Sequence, residues 1–355
     1  MTGLSEGLRR TTSALLILAA ASASRAQSFH LFPSAPSDEA AGSAAGDTGD
    51  AERPDSVGET PAPPKKRCVL IQCVTLPVPP ADKIFNRGAG LWTATALGVG
   101  VVVAAQGPID TPGHGFFFVN ERFFEYDTYA GGSDKASHFI ASATVADLLS
   151  DAYRINGLSE NQSFALSLGA TVLVGFFVEV GDGLTPYGGS AQDLTADALG
   201  AFLGAFAKRG GFDDVIGFQL GKVPTDSPPA LETIPHLGID YSHEIHDLNF
   251  KFAGIGDHLR RDPGPARYFQ LSFAYLTKGY GYQPPVESRY QEIGVELGLN
   301  IPEILKAVGV NDSTWWGDTL LRAFRFFRVP YTQIGAYYNF KSRKWYGPGA
   351  PYHYY

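Results

Sequence analysis

The stretch Ser190-Ala191-Gln192-Asp193-Leu194-Thr195-Ala196-Asp197-Ala198-Leu199-Gly200 decides how this chain is read. Ser190 followed three residues later by Asp193 starts a helix, because a serine hydroxyl accepts one of the orphan backbone N–H groups of the first turn. At about 100° per residue, Asp193, Asp197, Gly200 and Gly204 gather on one face of that helix, opposite Leu199, Phe202 and Phe206. One face is acidic and small; the other is bulky and apolar. In water this is inside out, whereas in a bilayer neighbouring helices take the small face and lipid takes the bulky one.

Working outward, Glu179-Val180-Gly181-Asp182-Gly183 closes a segment, 161–178, that contains no charge, and Ser159 with Gln162 forms a capping box at its start. Further upstream, Asp134-Lys135-Ala136-Ser137-His138-Phe139 opens another helix that runs to about Tyr153. On it Asp134, His138, Ala141, Ser142, Val145, Leu148 and Leu149 share a face, and Asp147 and Asp151 fall on the other. Gly88 to Pro108 is also uncharged, and Gly90, Ala94 and Gly98 recur every four residues, a small-residue ridge of the kind that lets helices approach closely. Phe116 to Tyr129 alternates aromatic and charged residues and reads as an interfacial connector.

Ionisable groups set at the ends of apolar helices must be paired, protonated or used. Asp134, Lys135, His138, Glu179, Asp182, Asp193 and Asp197 are therefore the candidate site, a polar cluster at one end of the bundle. One histidine among carboxylates suits a hard divalent metal or an acid–base pair. It equally suits helix capping and charge neutralisation with no chemistry. Glu179 is expected to reach His138 or Lys135 directly or through one water, with its helix antiparallel to theirs. Whether a metal or any other cofactor binds is left open by the residues. The run His243, Glu244, His246, Asp247 is set aside as a metal site, since strand residues three apart point to opposite faces. No nucleophile elbow, phosphate loop or zinc spacing occurs.

The chain begins with Arg9-Arg10, an apolar run from Ala14 to Ala21 and Ser24-Arg25-Ala26, a secretory signal cleaved after Ala26. Residues 27–80 are rich in Ala, Ser, Pro and Gly and read as a disordered linker. A net charge of -8 excludes nucleic acid as a partner. Cys68 and Cys73 are the only two cysteines, and a bond between them requires a turn at the intervening residues.

After Lys208-Arg209 helical spacing gives way to alternation. Ile234–Tyr241, Leu248–Phe252, Arg267–Leu276, Tyr290–Leu299 and Tyr331–Phe340 read as strands, and thirteen of the seventeen tyrosines lie beyond residue 240. In one strand Gln291, Ile293, Val295, Leu297 and Leu299 oppose Tyr290, Glu292, Gly294, Glu296 and Gly298. About five strands are too few to close a barrel in a membrane, so this region is expected to cover the bundle or to pair with an envelope protein. Trp315 to Phe327, with Arg322 and Arg325 and then Arg328 among Leu and Phe, reads as an interfacial amphipathic helix.

The motifs Asp134-Lys135-x-x-His138-Phe139, Glu179-x-x-Asp182-Gly183 and Ser190-x-x-Asp193-x-x-Ala196-Asp197-x-x-Gly200 resemble the YfiM-like family of uncharacterised predicted periplasmic lipoproteins, and more distantly the VanZ-like membrane proteins. The resemblance implies an architecture and a location, not a mechanism. Two positions depart from it: Asp197 stands where Asn is expected, and no lipidation cysteine follows the signal. The sequence thus predicts an α+β protein, a membrane-associated bundle of about four helices (81–210) followed by a β-rich antiparallel C-terminal region (211–355). It predicts an exported envelope protein in contact with membrane lipid, facing the periplasm, with the outer membrane favoured over the inner. The function expected is a structural or assembly role in the envelope; the alternative is a metal-dependent hydrolase or transferase acting on lipid or cell-wall headgroups.

Overall fold

The computed structural model describes residues 65–84, 86–110, 113–222, 241, 244–280 and 289–349. The expected signal, the linker up to residue 64 and the strand expected at 234–240 lie outside them. The chain is α+β, with helices first and a six-stranded antiparallel sheet in the C-terminal region.

The linker ends earlier than its composition suggests. Lys66–Val69 (β1) and Gln72–Thr75 (β2) form a hairpin whose Cys68–Cys73 pair is disulfide-bonded. The turn that this bond requires is made at Leu70, which takes a positive φ, and Ile71. Composition undervalued these residues because their partners are distant: the Cys68 N–H donates to Asp312 O, and the Leu70 N–H to Asp318 Oδ2.

Four long helices follow: Arg87–Asp110 (α1), Ser133–Ile155 (α2), Glu160–Gly183 (α3) and Ala191–Gly210 (α4). The capping box at Ser159 and Gln162 starts α3, and the Ser190 hydroxyl accepts the Asp193 N–H to start α4. Helices α2 and α3 are antiparallel, for Ser150 donates to Ser167 near one end while His138 meets Glu179 near the other. Helix α4 runs alongside α2, held close by glycine: a Cβ at Gly200 or Gly204 would sit 2.1 or 2.2 Å from the Phe139 or Ala143 carbonyl oxygen. Its bulky face, Leu199, Phe202 and Phe206, is exposed. The ridge expected on α1 is not used in this way. Among the described residues Gly90 and Gly98 have no neighbour near their Cβ positions, and it is Gly100 that meets Val174 of α3. Small residues permit close approach but do not say which face receives it.

The sheet comprises Ile216–Lys222 (β5), Glu244–Lys251 (β6), Phe269–Lys278 (β7), Tyr290–Leu299 (β8), Gln333–Asn339 (β9) and Lys344–Gly349 (β10), in sequence order from one edge to the other. Short helices Phe252–His258 (α5) and Ile301–Ala307 (α6) follow β6 and β8, and Trp315–Phe326 (α7) precedes β9.

Two readings of charged residues are overturned here. Asp147 and Asp151, expected on the outer face of α2, are buried. Helix α7, expected at a membrane interface, covers them: Arg322 Nη2 lies 2.9 Å from Asp151 Oδ2 and Arg325 Nη2 3.0 Å from Asp147 Oδ1. Lys208 and Arg67 also reach Asp151. Asp213, between α4 and β5, joins this network through Lys208 at 2.8 Å and Arg325 at 2.9 Å. Burial alone would raise the Asp213 pKa, but Arg325 and Lys208 pull it down to about 2 from the ordinary 3.8. A depressed carboxylate pKa contributes stability that is present above the unfolded value and is lost as pH falls through the folded one. The expected contribution is about 2 kcal/mol, lost between about pH 4 and pH 2. Unfolding curves across that window should show the loss, and Asp213→Asn should flatten them.

Candidate polar site

The loop before α2 turns through Gly131 and Gly132, both at positive φ, with a Cβ at either colliding with Tyr280 or Phe124. This tight entry sets Asp134 and Lys135 in the first turn of α2, both buried. Asp134 Oδ2 accepts from the Tyr129 hydroxyl at 2.5 Å and Oδ1 from the Tyr241 hydroxyl at 2.9 Å. Lys135 Nζ lies 3.1 Å from Asp134 and 3.0 Å from Asp193, and it contacts Glu121 more closely still.

One turn on, His138 Nδ1 stands 3.1 Å from Asp197 Oδ2 and 3.8 Å from Glu179 Oε1, and its Nε2 stands 3.8 Å from Asp134 Oδ1. Asp197 is further held by the Ser142 hydroxyl at 2.6 Å. It fits because residue 175 of α3 is glycine, where a Cβ would lie 2.5 Å from Asp197 Oδ2. Glu179 Oε2 accepts the Ser190 N–H at 2.7 Å, while its Oε1, also buried, has no hydrogen-bond partner among the described residues. Short strands Phe118–Val119 (β3) and Gly189–Ser190 (β4) pair in parallel, which brings Glu121 beside the start of α4.

The candidate residues thus divide. Asp134, His138, Glu179, Asp193 and Asp197 come together in two overlapping triads of metal-ligating type, Asp134–His138–Asp193 and His138–Glu179–Asp197, and Lys135 joins them through its ion pairs to Asp134 and Asp193. Asp182, also expected in the cluster, is half-buried one turn past Glu179 and lies outside both triads. The Glu179–His138 separation of 3.8 Å is an ion-pair distance, longer than a direct hydrogen bond. Sequence reasoning missed Glu121, Tyr129, Ser142 and Tyr241. Of these, Ser142 shares the His138 face and was legible there, whereas the other three arrive from loops. The set-aside run near residue 246 is also drawn in: His246 and Glu244 are buried against Ser137 at 2.7 and 2.9 Å.

Electrostatically the cluster is carboxylate-rich. Glu121, Asp134, Glu179, Asp193 and Asp197 face one lysine and one histidine. Burial would lower the His138 pKa, but the hydrogen bond to Asp197 and the charge of Asp134 raise it well above 6.5. Burial, reinforced by Asp134, pushes Asp193 up to about 8 despite His138 and Lys135. A buried excess of carboxylate holds protons or a cation.

No curated protein and no solved structure matches the chain. Residues 120–209 match the family model described as Predicted periplasmic lipoprotein (DUF2279). That span holds every cluster residue except Tyr241, Glu244 and His246, and both cysteines of this sequence lie outside it, bonded to each other. In the part that carries the cluster, the chain is similar to an uncharacterised family of predicted periplasmic lipoproteins, which supports an exported, envelope-associated protein.

Proposed function

We propose that the protein is a membrane-associated structural or assembly factor of the cell envelope, latched by its buried polar cluster. The observation that carries this reading is that the cluster joins three helices and a loop through charged side chains that are all buried or nearly so, with His138 the most exposed of them at 17%. A catalytic centre presents its groups to substrate; this one presents them to each other. Membrane association is supported by α1, from Arg87 to Ala105, and α3, both long and apolar enough to cross a bilayer. The outer membrane is favoured because Arg87 and Lys208-Arg209 lie at the same end of the helices, away from the cluster. With a cleaved signal, insertion in the inner membrane would put that end outside, against the positive-inside rule.

A second reading has its own support. Glu179 Oε1, buried 3.8 Å from His138 Nδ1 and without a hydrogen-bond partner among the described residues, is the ligand that a divalent cation would take. Such a site would serve a metal-dependent hydrolase or transferase acting on lipid or cell-wall headgroups. Metal analysis of purified protein, with and without His138→Gln, separates the two. The latch reading expects no stoichiometric metal in either protein and a folded variant that retains its envelope phenotype. Stoichiometric metal that His138→Gln abolishes, together with loss of phenotype in a folded protein, would replace the latch with the metal site.

A further inference from the structure

The six-stranded sheet has its polarity reversed. Its inward face carries Asp247, Asn249, Gln270, Glu292, Glu296 and Asn339, all buried, around a small apolar cluster of Ile245, Ala274, Leu276 and Tyr337. These groups pair with one another: Asn249 and Gln270 donate to Gln219, Asn339 donates to Glu292, and Arg328 bridges Asp247 and Glu296. Across the same strands, Phe273, Ile293, Val295, Leu297 and Ile334 point outward and are 40–54% exposed. The pairing register sets Phe273 beside Val295 and Leu297 beside Ile334, so these side chains form one continuous patch. A sheet in water buries its apolar face and wets its polar one. This one buries a polar network around its small apolar cluster and leaves its larger apolar patch uncovered.

We infer that the outward face of β7, β8 and β9 lies against the acyl chains of a lipid bilayer, so that the C-terminal sheet is embedded beside the helices instead of covering them from outside. Three further observations fit lipid as the occupant. Strands β7 and β8 are ten residues each, the length that crosses a hydrocarbon layer when tilted. Aromatic residues rim the patch, with Tyr338, Phe340 and Trp345 at one end and Phe269 and Tyr331 at the other, as at the interfaces of membrane strands. The β5 edge is met by chain at Leu220, whose O accepts the Arg328 N–H, and Phe139 of α2 packs on the Phe218 ring. Phe176 and Leu199 on the helices are exposed apolar side chains as well.

This inference rests on the membrane association proposed above, and its test tells the two apart. The only native cysteines are bonded to each other, so a single cysteine placed at 273, 295 or 297 in the full chain is a unique labelling site. A fluorophore there, in phospholipid vesicles, is challenged with nitroxide-bearing lipid and with aqueous iodide. Labels at 176 and 199 serve as helix controls, and one at exposed Asp262 as the aqueous control. The expected result is that labels at 273, 295 and 297 are quenched by the lipid nitroxide and screened from iodide, like the helix labels and unlike the one at 262. If iodide reaches the sheet labels while the helix labels stay in lipid, the inference fails and membrane association stands. If iodide reaches both sets, both fail. Sheet labels screened from both quenchers would mean that protein covers the face, which also overturns the inference.

Discussion

Arg328→Met is expected to destabilise the fold by about 3–5 kcal/mol, because it leaves buried carboxylates with no countercharge. Arg328 Nη1 lies 2.9 Å from Asp247 Oδ1 and 2.8 Å from Glu296 Oε2, and all three side chains are almost wholly enclosed. Nη2 adds a second bond to Glu296, at 3.0 Å. One guanidinium therefore ties β6 to β8 across the strand between them. Arg328→Lys keeps the charge but not the fork, and is expected to fall between wild type and Arg328→Met. Adding Asp247→Asn and Glu296→Gln to Arg328→Met removes the orphaned charges and should restore part of the loss. Denaturant unfolding in detergent micelles measures all four proteins. Wild-type stability in Arg328→Met would show that the inward network carries no structural role.

Much of the fold was legible in the sequence, and the failures have physical causes. Strand β8 was read with its observed ends because every second residue from Gln291 to Leu299 is large and the opposing set holds Glu and Gly. What alternation cannot say is which set faces inward. The polar set is inside because the sheet wraps charges that pair only once Arg328 arrives from outside the strands. Strand β5 was missed because its inward positions 217 and 221 are glycines, which read as breakers. A Cβ there would meet the side chains of Lys251 and Arg328, so the glycines make room. The burial of Asp147 and Asp151 was hidden for a related reason: a helical wheel divides a helix into two faces, and the partners Arg322 and Arg325 lie more than 160 residues away in sequence.

The site was legible wherever its residues lie on helices. Spacing along α2 and α4 put His138 and Asp197 on inward faces, and the structure sets them 3.1 Å apart. Glu121, Tyr129 and Tyr241 were not legible, since loop residues follow no period and their positions depend on the Gly131–Gly132 turn and the β3–β4 pairing. Gly175 left no signal either. It is one small residue in an apolar segment, and its importance lies in what Asp197 needs across the interface.

Gly200→Leu is expected to abolish the native packing of α4 on α2, and even Gly200→Ala should cost about 1–3 kcal/mol as an overpacked contact, net of what alanine adds to helix propensity. The obstacle is backbone, not a side chain that can swing aside: the Cβ position at Gly200 lies 2.1 Å from Phe139 O, and that at Gly204 2.2 Å from Ala143 O. Only a displacement of one helix relates the two. Because Asp193 and Asp197 ride on α4 while Lys135 and His138 ride on α2, the same displacement lengthens the 3.0 and 3.1 Å contacts that close the polar cluster. Gly90→Ala and Gly98→Ala on α1 are the controls. Nothing lies near their Cβ positions, so each should gain about 0.5–1 kcal/mol from helix propensity alone. Thermal melts of the four alanine variants, at 90, 98, 200 and 204, should therefore split by sign, with the α1 pair above wild type and the α4 pair below. If all four shift the same way, glycine acts here only through helix propensity, and the close approach of α4 to α2 does not hold the cluster together.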